Sequence, residues 1–203
     1  MKRMMSTHAN ALLLAVTLVA VPLAAVAAPG LAAAETPFGP SRAAVELALS
    51  AYESVPSGDA LVRQFGPAVV DVLVDIVAQP GKNALARNRA LTALRVFATP
   101  QVKKALAGAV SRNKSGKTAM QRFLLAQALP SYAAVVGPQS LGELTPLLLH
   151  SQIDVRRAAL EALRLSRAKN ARALIAERAR VDSSALVRHS AKRELSRLDA
   201  TKR

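Results

Sequence analysis

The sequence predicts an all-α fold, an α-α superhelix of about four to five stacked helix pairs behind an N-terminal signal peptide. Three observations predict it. A nine-residue window with arginine and leucine at fixed places recurs at a near-regular spacing. Apolar residues make up 51% of the chain but aromatics only 3%, so Ala, Leu and Val must fill the interior. Such small side chains suit closely packed helices and argue against a β-rich fold. Finally, Lys2 and Arg3 are followed by a charge-free stretch that closes on small residues.

That N-terminal stretch reads as an address. The run Ala9 to Ala28 carries no charge, and Ala32-Ala33-Ala34 precede Glu35, the first acid. A positive start, an apolar middle and an A-x-A exit are the parts of a secretory signal. Residues 1–34 are therefore the expected signal peptide, with an earlier exit after Ala25-Val26-Ala27 as a second option. An uncleaved membrane anchor is the rival reading, weakened by Pro22 and the Ala-rich second half. No Arg-Arg pair lies near the start, which favours general secretion. The expected location is periplasmic or secreted.

The repeats begin after it. The windows Ala86–Leu94, Gln121–Leu129, Val155–Leu163 and Val187–Leu195 align without gaps. Their second positions are Arg87, Arg122, Arg156 and Arg188, at offsets of 35, 34 and 32 residues. Their ninth positions are Leu94, Leu129, Leu163 and Leu195. A fainter copy, Ser41–Leu49, lies 45 residues before the first. Apolar residues at positions one, four, five, eight and nine mark one helix face. A second helical stretch precedes each window: Pro67 to Ala78, Pro100 to Arg112, Pro138 to His150 and Ala168 to Val181. Proline suits the first turn of a helix. Pro80-Gly81 and Asn113 to Gly116 read as loops, and Pro130 is expected to end the helix that closes at Leu129. Residues 35–58 then form an N-terminal helix, a degenerate capping repeat, and residues 59–203 the repeat domain.

The pattern D-x-x-x-x-V-R-x-x-A-x-x-x-L resembles the short HEAT repeat of the phycocyanobilin-lyase type. Asp182, Val187, Arg188, Ala191 and Leu195 fit it fully. Val155, Arg156, Ala159 and Leu163 fit as well, with His150 in place of the leading acid. The two earlier units depart at the valine, where Gln121 and Ala86 stand. The resemblance implies an α-α superhelix that binds partners. Bilin attachment belongs to only some members, and no catalytic set of theirs is matched here.

What chemistry the residues carry is limited. The repeat arginines read as an inter-unit ladder, each stem on the core and each head on a neighbouring acid or helix end. A row of cations along a groove of the second helices is the functional rival. Residues 101–203 hold 20 basic and 7 acidic residues, whereas 35–100 hold six of each. That asymmetry invites an anionic partner. Lys103, Lys104, Arg112, Lys114 and Lys117 are the candidate anion or partner contacts. Secretion and the missing aromatic interleaving argue against nucleic acid. Ser115-Gly116-Lys117-Thr118 imitates the end of a phosphate loop, but Ser111 stands where glycine is required, and no strand precedes it. It reads as a loop whose Ser115 or Thr118 caps the next helix.

There is no cysteine, and His150 and His189 lie in different units with no third ligand in view. Paired carboxylates and a G-x-S-x-G elbow are missing too. The chain therefore reads as a non-enzymatic scaffold that needs no metal or cofactor and takes another protein as partner. Binding of anionic lipid or polysaccharide through the basic half is one alternative, and a lyase-like accessory protein another. Oligomeric state is not legible.

Overall fold

The computed structural model describes residues 39–51, 55–79 and 83–200. The expected signal peptide and the Pro80-Gly81 turn lie outside the described residues. All regular structure among the described residues is helical.

Helix α1 (Arg42–Ser50) carries the faint window and is capped by Ser41, whose hydroxyl accepts from the Ala44 amide. α2 (Gly58–Phe65) starts at Ser57 and stops at Gly66, whose φ of 77° only glycine adopts freely. α3 (Val69–Ala78) and α4 (Ala84–Ala93) form the first pair, with Asn83 capping α4. α5 (Pro100–Asn113) opens with proline behind a Thr99 cap. Thr118 and Gln121 close a reciprocal capping box on α6 (Ala119–Val136). The Ser-Gly-Lys-Thr stretch is thus a loop between two helices, as its residues suggested.

Next come a 3-10 turn (Gly137–Ser140), the single turn α7 (Leu141–Leu144) and a second 3-10 turn (Thr145–Leu149). Last are α8 (Ile153–Ser166), α9 (Ala171–Val181) and α10 (Ala185–Ala200).

The helices pack in two series. Within units, α3 packs on α4, α5 on α6, the 137–149 segment on α8, and α9 on α10. Between units, α1 packs on α4, α4 on α6, α6 on α8, and α8 on α10. The window helices thus follow one another in chain order. Their fifth positions, Ala90, Leu125, Ala159 and Ala191, are all 0% exposed. Three ninth-position leucines, Leu94, Leu129 and Leu163, are 0% exposed as well, while Leu195, in the final helix, is only partly covered. Each buried leucine contributes roughly 1.5–3 kcal/mol of hydrophobic stabilisation, so the fixed positions of the window are the core.

Two expectations are corrected. Pro130 does not end its helix; it lies buried inside α6, which runs on to Val136. Proline removes the N–H that would bond the Ala126 carbonyl, but buried packing on α8 holds the segment helical. The Ser131 hydroxyl donates to the Gln127 carbonyl at 3.1 Å just beyond it. The stretch from Pro138 to His150 is not one helix, because Pro146 and Gly142 interrupt it and leave short turns. One helix was not expected from the sequence: α2 lies outside the aligned windows and the stretches before them. It occupies the extra residues behind the 45-residue offset, packing on α3 and α4.

Candidate functional site

Among the described residues, three of the four repeat arginines serve the loop inside their own pair. Arg122 Nη1 donates to the carbonyls of Gly116 and Lys117 at 3.1 and 3.3 Å. Arg156 Nη1 does the same to His150 and Ser151, and Arg188 Nη1 to Asp182 and Ser183. In each case the acceptors are six and five residues earlier. Positions 81 and 82, which stand in that relation to Arg87, lie outside the described residues. Arg156 adds a fork to the next unit, with Nε and Nη2 each 3.1 Å from an oxygen of Asp182. Arg42 in α1 reaches Asp75 and Gln79 at 2.6 and 2.8 Å. These guanidiniums tie loops and units together.

The five candidate contacts differ in their surroundings. Lys103 and Lys104 are exposed on α5, and Lys117 is exposed on the following loop. Arg112 turns toward α3, with Nη2 donating to the Val77 carbonyl at 3.0 Å. Lys114 turns to α7 instead, 3.2 Å from Glu143. That pair is about half exposed on both sides and adds little stability.

A more developed feature crosses the window helices. A groove of about 440 Å³ runs over α6, α8 and α10. Helical spacing supplies its walls. Phe123 and Gln127 of α6, and Asp154, Arg157 and Glu161 of α8, recur every three or four residues, which is one helix face. Ala126 and Ala158 keep the floor low, and Arg193 and Glu194 of α10 close the far end. Phe123 is 43% exposed, an unusual position for a large aromatic ring.

The polar groups here bridge helices. Arg157 Nε donates to the Ser190 hydroxyl at 3.0 Å, and its Nη1 lies 3.6 Å from Asp154 Oδ1. Arg164 Nε donates to Glu194 Oε2 at 2.7 Å, Arg197 reaches Oε1 at 3.0 Å, and Arg193 lies 3.6 Å from it. Glu194 is only 2% exposed, so the arginines offset the cost of burying its charge. The lining holds three arginines and three acids, Arg122, Arg157 and Arg193 against Asp154, Glu161 and Glu194. The lining thus balances its charges around one exposed aromatic ring.

Sequence reasoning missed Phe123, Arg157 and Arg193. The signal was present in the windows, whose positions three and seven read Phe123 and Gln127, Arg157 and Glu161, and His189 and Arg193. Among the described residues no cluster of His, Cys, Asp or Glu could hold a metal ion. His150 Nδ1 accepts from the Gln152 amide at 3.1 Å within its own loop.

No protein-family model matches the chain, and comparison with curated proteins and with solved structures finds no match.

Proposed function

We propose that this protein is an exported HEAT-like scaffold that binds a protein partner in the groove across α6, α8 and α10. The groove carries the reading, because it joins three consecutive window helices, balances its charges and leaves Phe123 open. The chain-order packing of α1, α4, α6, α8 and α10 supports a superhelical stack. Export rests on the basic start, the neutral run and the alanine exit before Glu35. Among the described residues no helix is long and apolar enough to cross a membrane. Polyanion binding through the lysine-rich loop has less support, since Arg112 and Lys114 face different neighbours.

A photo-crosslinking residue at position 123 or 193 tests the reading in the native envelope. Both should capture the same partner, whereas a probe at Leu47, 76% exposed on α1, should not. Phe123→Asp should abolish capture from position 193 while the helical signal and melting midpoint stay put. Equal capture from all three positions would overturn the groove as the site.

A further inference from the structure

The three turns that lead into α6, α8 and α10 stand side by side. A Cβ on Gly116 would lie 3.1 Å from the His150 ring, so the first turn touches the second. Arg156 holds the His150 carbonyl and forks onto Asp182, which joins the second to the third. Neighbouring helices pack about 8–10 Å apart, so the three turns make an edge roughly 20 Å long. Five of the nine exposed large apolar side chains among the described residues lie on it: Met120, Leu149, Ile153, Val181 and Leu186. Leu149 is 73% and Leu186 62% exposed, so water meets most of both side chains.

Register repeats this exposure. Leu149 and Val181 each stand six residues before their window, and Met120 and Leu186 one residue before theirs. All four are exposed, so the core does not demand apolar residues there. The exposed charges on segments 114–120, 149–154 and 180–186 are Lys114, Lys117, Asp154 and Arg180. Glu143 meets Lys114 and Arg157 meets Asp154, so Lys117 and Arg180 leave the edge positive. Side-chain shape changes from turn to turn while apolar character stays. A pocket on a folded partner would fix shape, because the core of such an interface packs as densely as a protein interior. Fluid acyl chains ask only for apolar surface, and anionic headgroups for nearby cations.

We propose that this edge docks the protein on the surface of an anionic lipid bilayer. The five apolar side chains enter the boundary between headgroups and acyl chains, and Lys117 and Arg180 meet the phosphates. Apolar burial and attraction to the headgroups act together at such a surface, and neither needs a shaped cavity. None of the five side chains lines the groove over α6, α8 and α10, so protein capture there and lipid docking here stand or fall separately.

The chain has no tryptophan, so a single one reports on its own position. In the full chain, Leu149→Trp and Leu186→Trp should each shift emission to the blue on adding phosphatidylglycerol vesicles, and brominated acyl chains should quench both. Leu47→Trp, equally exposed but on α1, should show neither change. With Met120→Trp as reporter, Leu149→Asp plus Leu186→Asp should raise the lipid concentration at half-shift at least about tenfold, since each aspartate replaces an apolar anchor. Both sites are exposed, so the melting midpoint should not move. Lys117→Gln with Arg180→Gln should raise the half-shift concentration several-fold at low salt and little at high salt, where headgroup charge is screened. Emission at 149 and 186 that stays unshifted overturns the proposal even where vesicles sediment the protein, because another part of the chain then holds the lipid. An equal response from Leu47→Trp overturns it too. A blue shift that needs no lipid and grows with protein concentration assigns the edge to a second copy of the chain instead.

Discussion

Arg156 and Asp182 make a buried two-point fork between the third and fourth units, with both carboxylate oxygens 3.1 Å from guanidinium nitrogens. Their side chains are only 10% and 3% exposed. The same arginine holds the His150 and Ser151 carbonyls, so one side chain fixes its own loop and the next unit's. Removing either partner strands a buried charge, which costs roughly 3–5 kcal/mol. Arg156→Ala and Asp182→Ala should each lower unfolding free energy by about 3 kcal/mol or more in urea titrations. The double variant should lose much less than the sum of the two. Additive losses would mean that the fork is not the coupling between units.

Asp182 also sets an acid limb of stability. Burial pushes its carboxyl pKa up, but hydrogen bonds from Arg156 and the Ser184 amide, with the charges of Arg156 and Arg178, outweigh that and leave it lowered. A carboxyl whose folded pKa lies below its unfolded value adds stability above the unfolded value, near pH 4, and loses it as pH falls through the folded one. Unfolding free energy should therefore drop below about pH 4. Asp182→Asn should be less stable at neutral pH and show a flatter acid limb. An acid limb of unchanged slope in the variant would assign the effect to other carboxylates.

His150 occupies the register of Asp182 one unit earlier. Each takes a hydrogen bond from the amide two residues on, Gln152 to His150 at 3.1 Å and Ser184 to Asp182 at 2.9 Å. A Cβ on Gly116 would sit 3.1 Å from the His150 ring and 3.4 Å from Arg122 Cγ, so the imidazole lies beside the arginine of the preceding unit. Aspartate there keeps the turn and offers Arg122 the fork that Arg156 already has. His150→Asp should stabilise by about 1 kcal/mol, a rise of roughly 2–4 °C in melting midpoint. A lower midpoint would mean that ring packing on Gly116 matters more than the new ion pair.

How far these relationships were legible depended on which residue carried them. The window positions that pack, such as Ala159 and Leu163, announce themselves because close packing admits few alternatives. Their helices were legible for the same reason. Pro130 misled because local chain chemistry forbids what buried packing enforced. α2 was missed because one short amphipathic turn, Leu61 to Phe65, has no copy elsewhere in the chain. The groove was hidden for the opposite reason from the core. Phe123 and Arg157 share window position three but not chemistry, so a search for repetition passes over them.

Glu194 is such a departure inside the core. It holds window position eight, which is Ala93, Ala128 and Ala162 in the other units, and it is 2% exposed. Three arginines converge on it, Arg164 from α8 and Arg193 and Arg197 from its own helix. The half-exposed Arg193 and Arg197 can turn to water if the carboxylate goes, but Arg164 is 21% exposed and has less room. Glu194→Gln keeps the shape and removes the charge, so the loss should come chiefly from Arg164, about 2–3 kcal/mol. Arg164→Met in that background removes the stranded cation and should recover at least half of the deficit, since apolar isosteres often match a buried ion pair. Chemical denaturation of the two variants reads both numbers. If Arg164→Met brings no recovery, the carboxylate is held chiefly by Arg193 and Arg197, and the Arg164–Glu194 pair is not what joins α8 to α10.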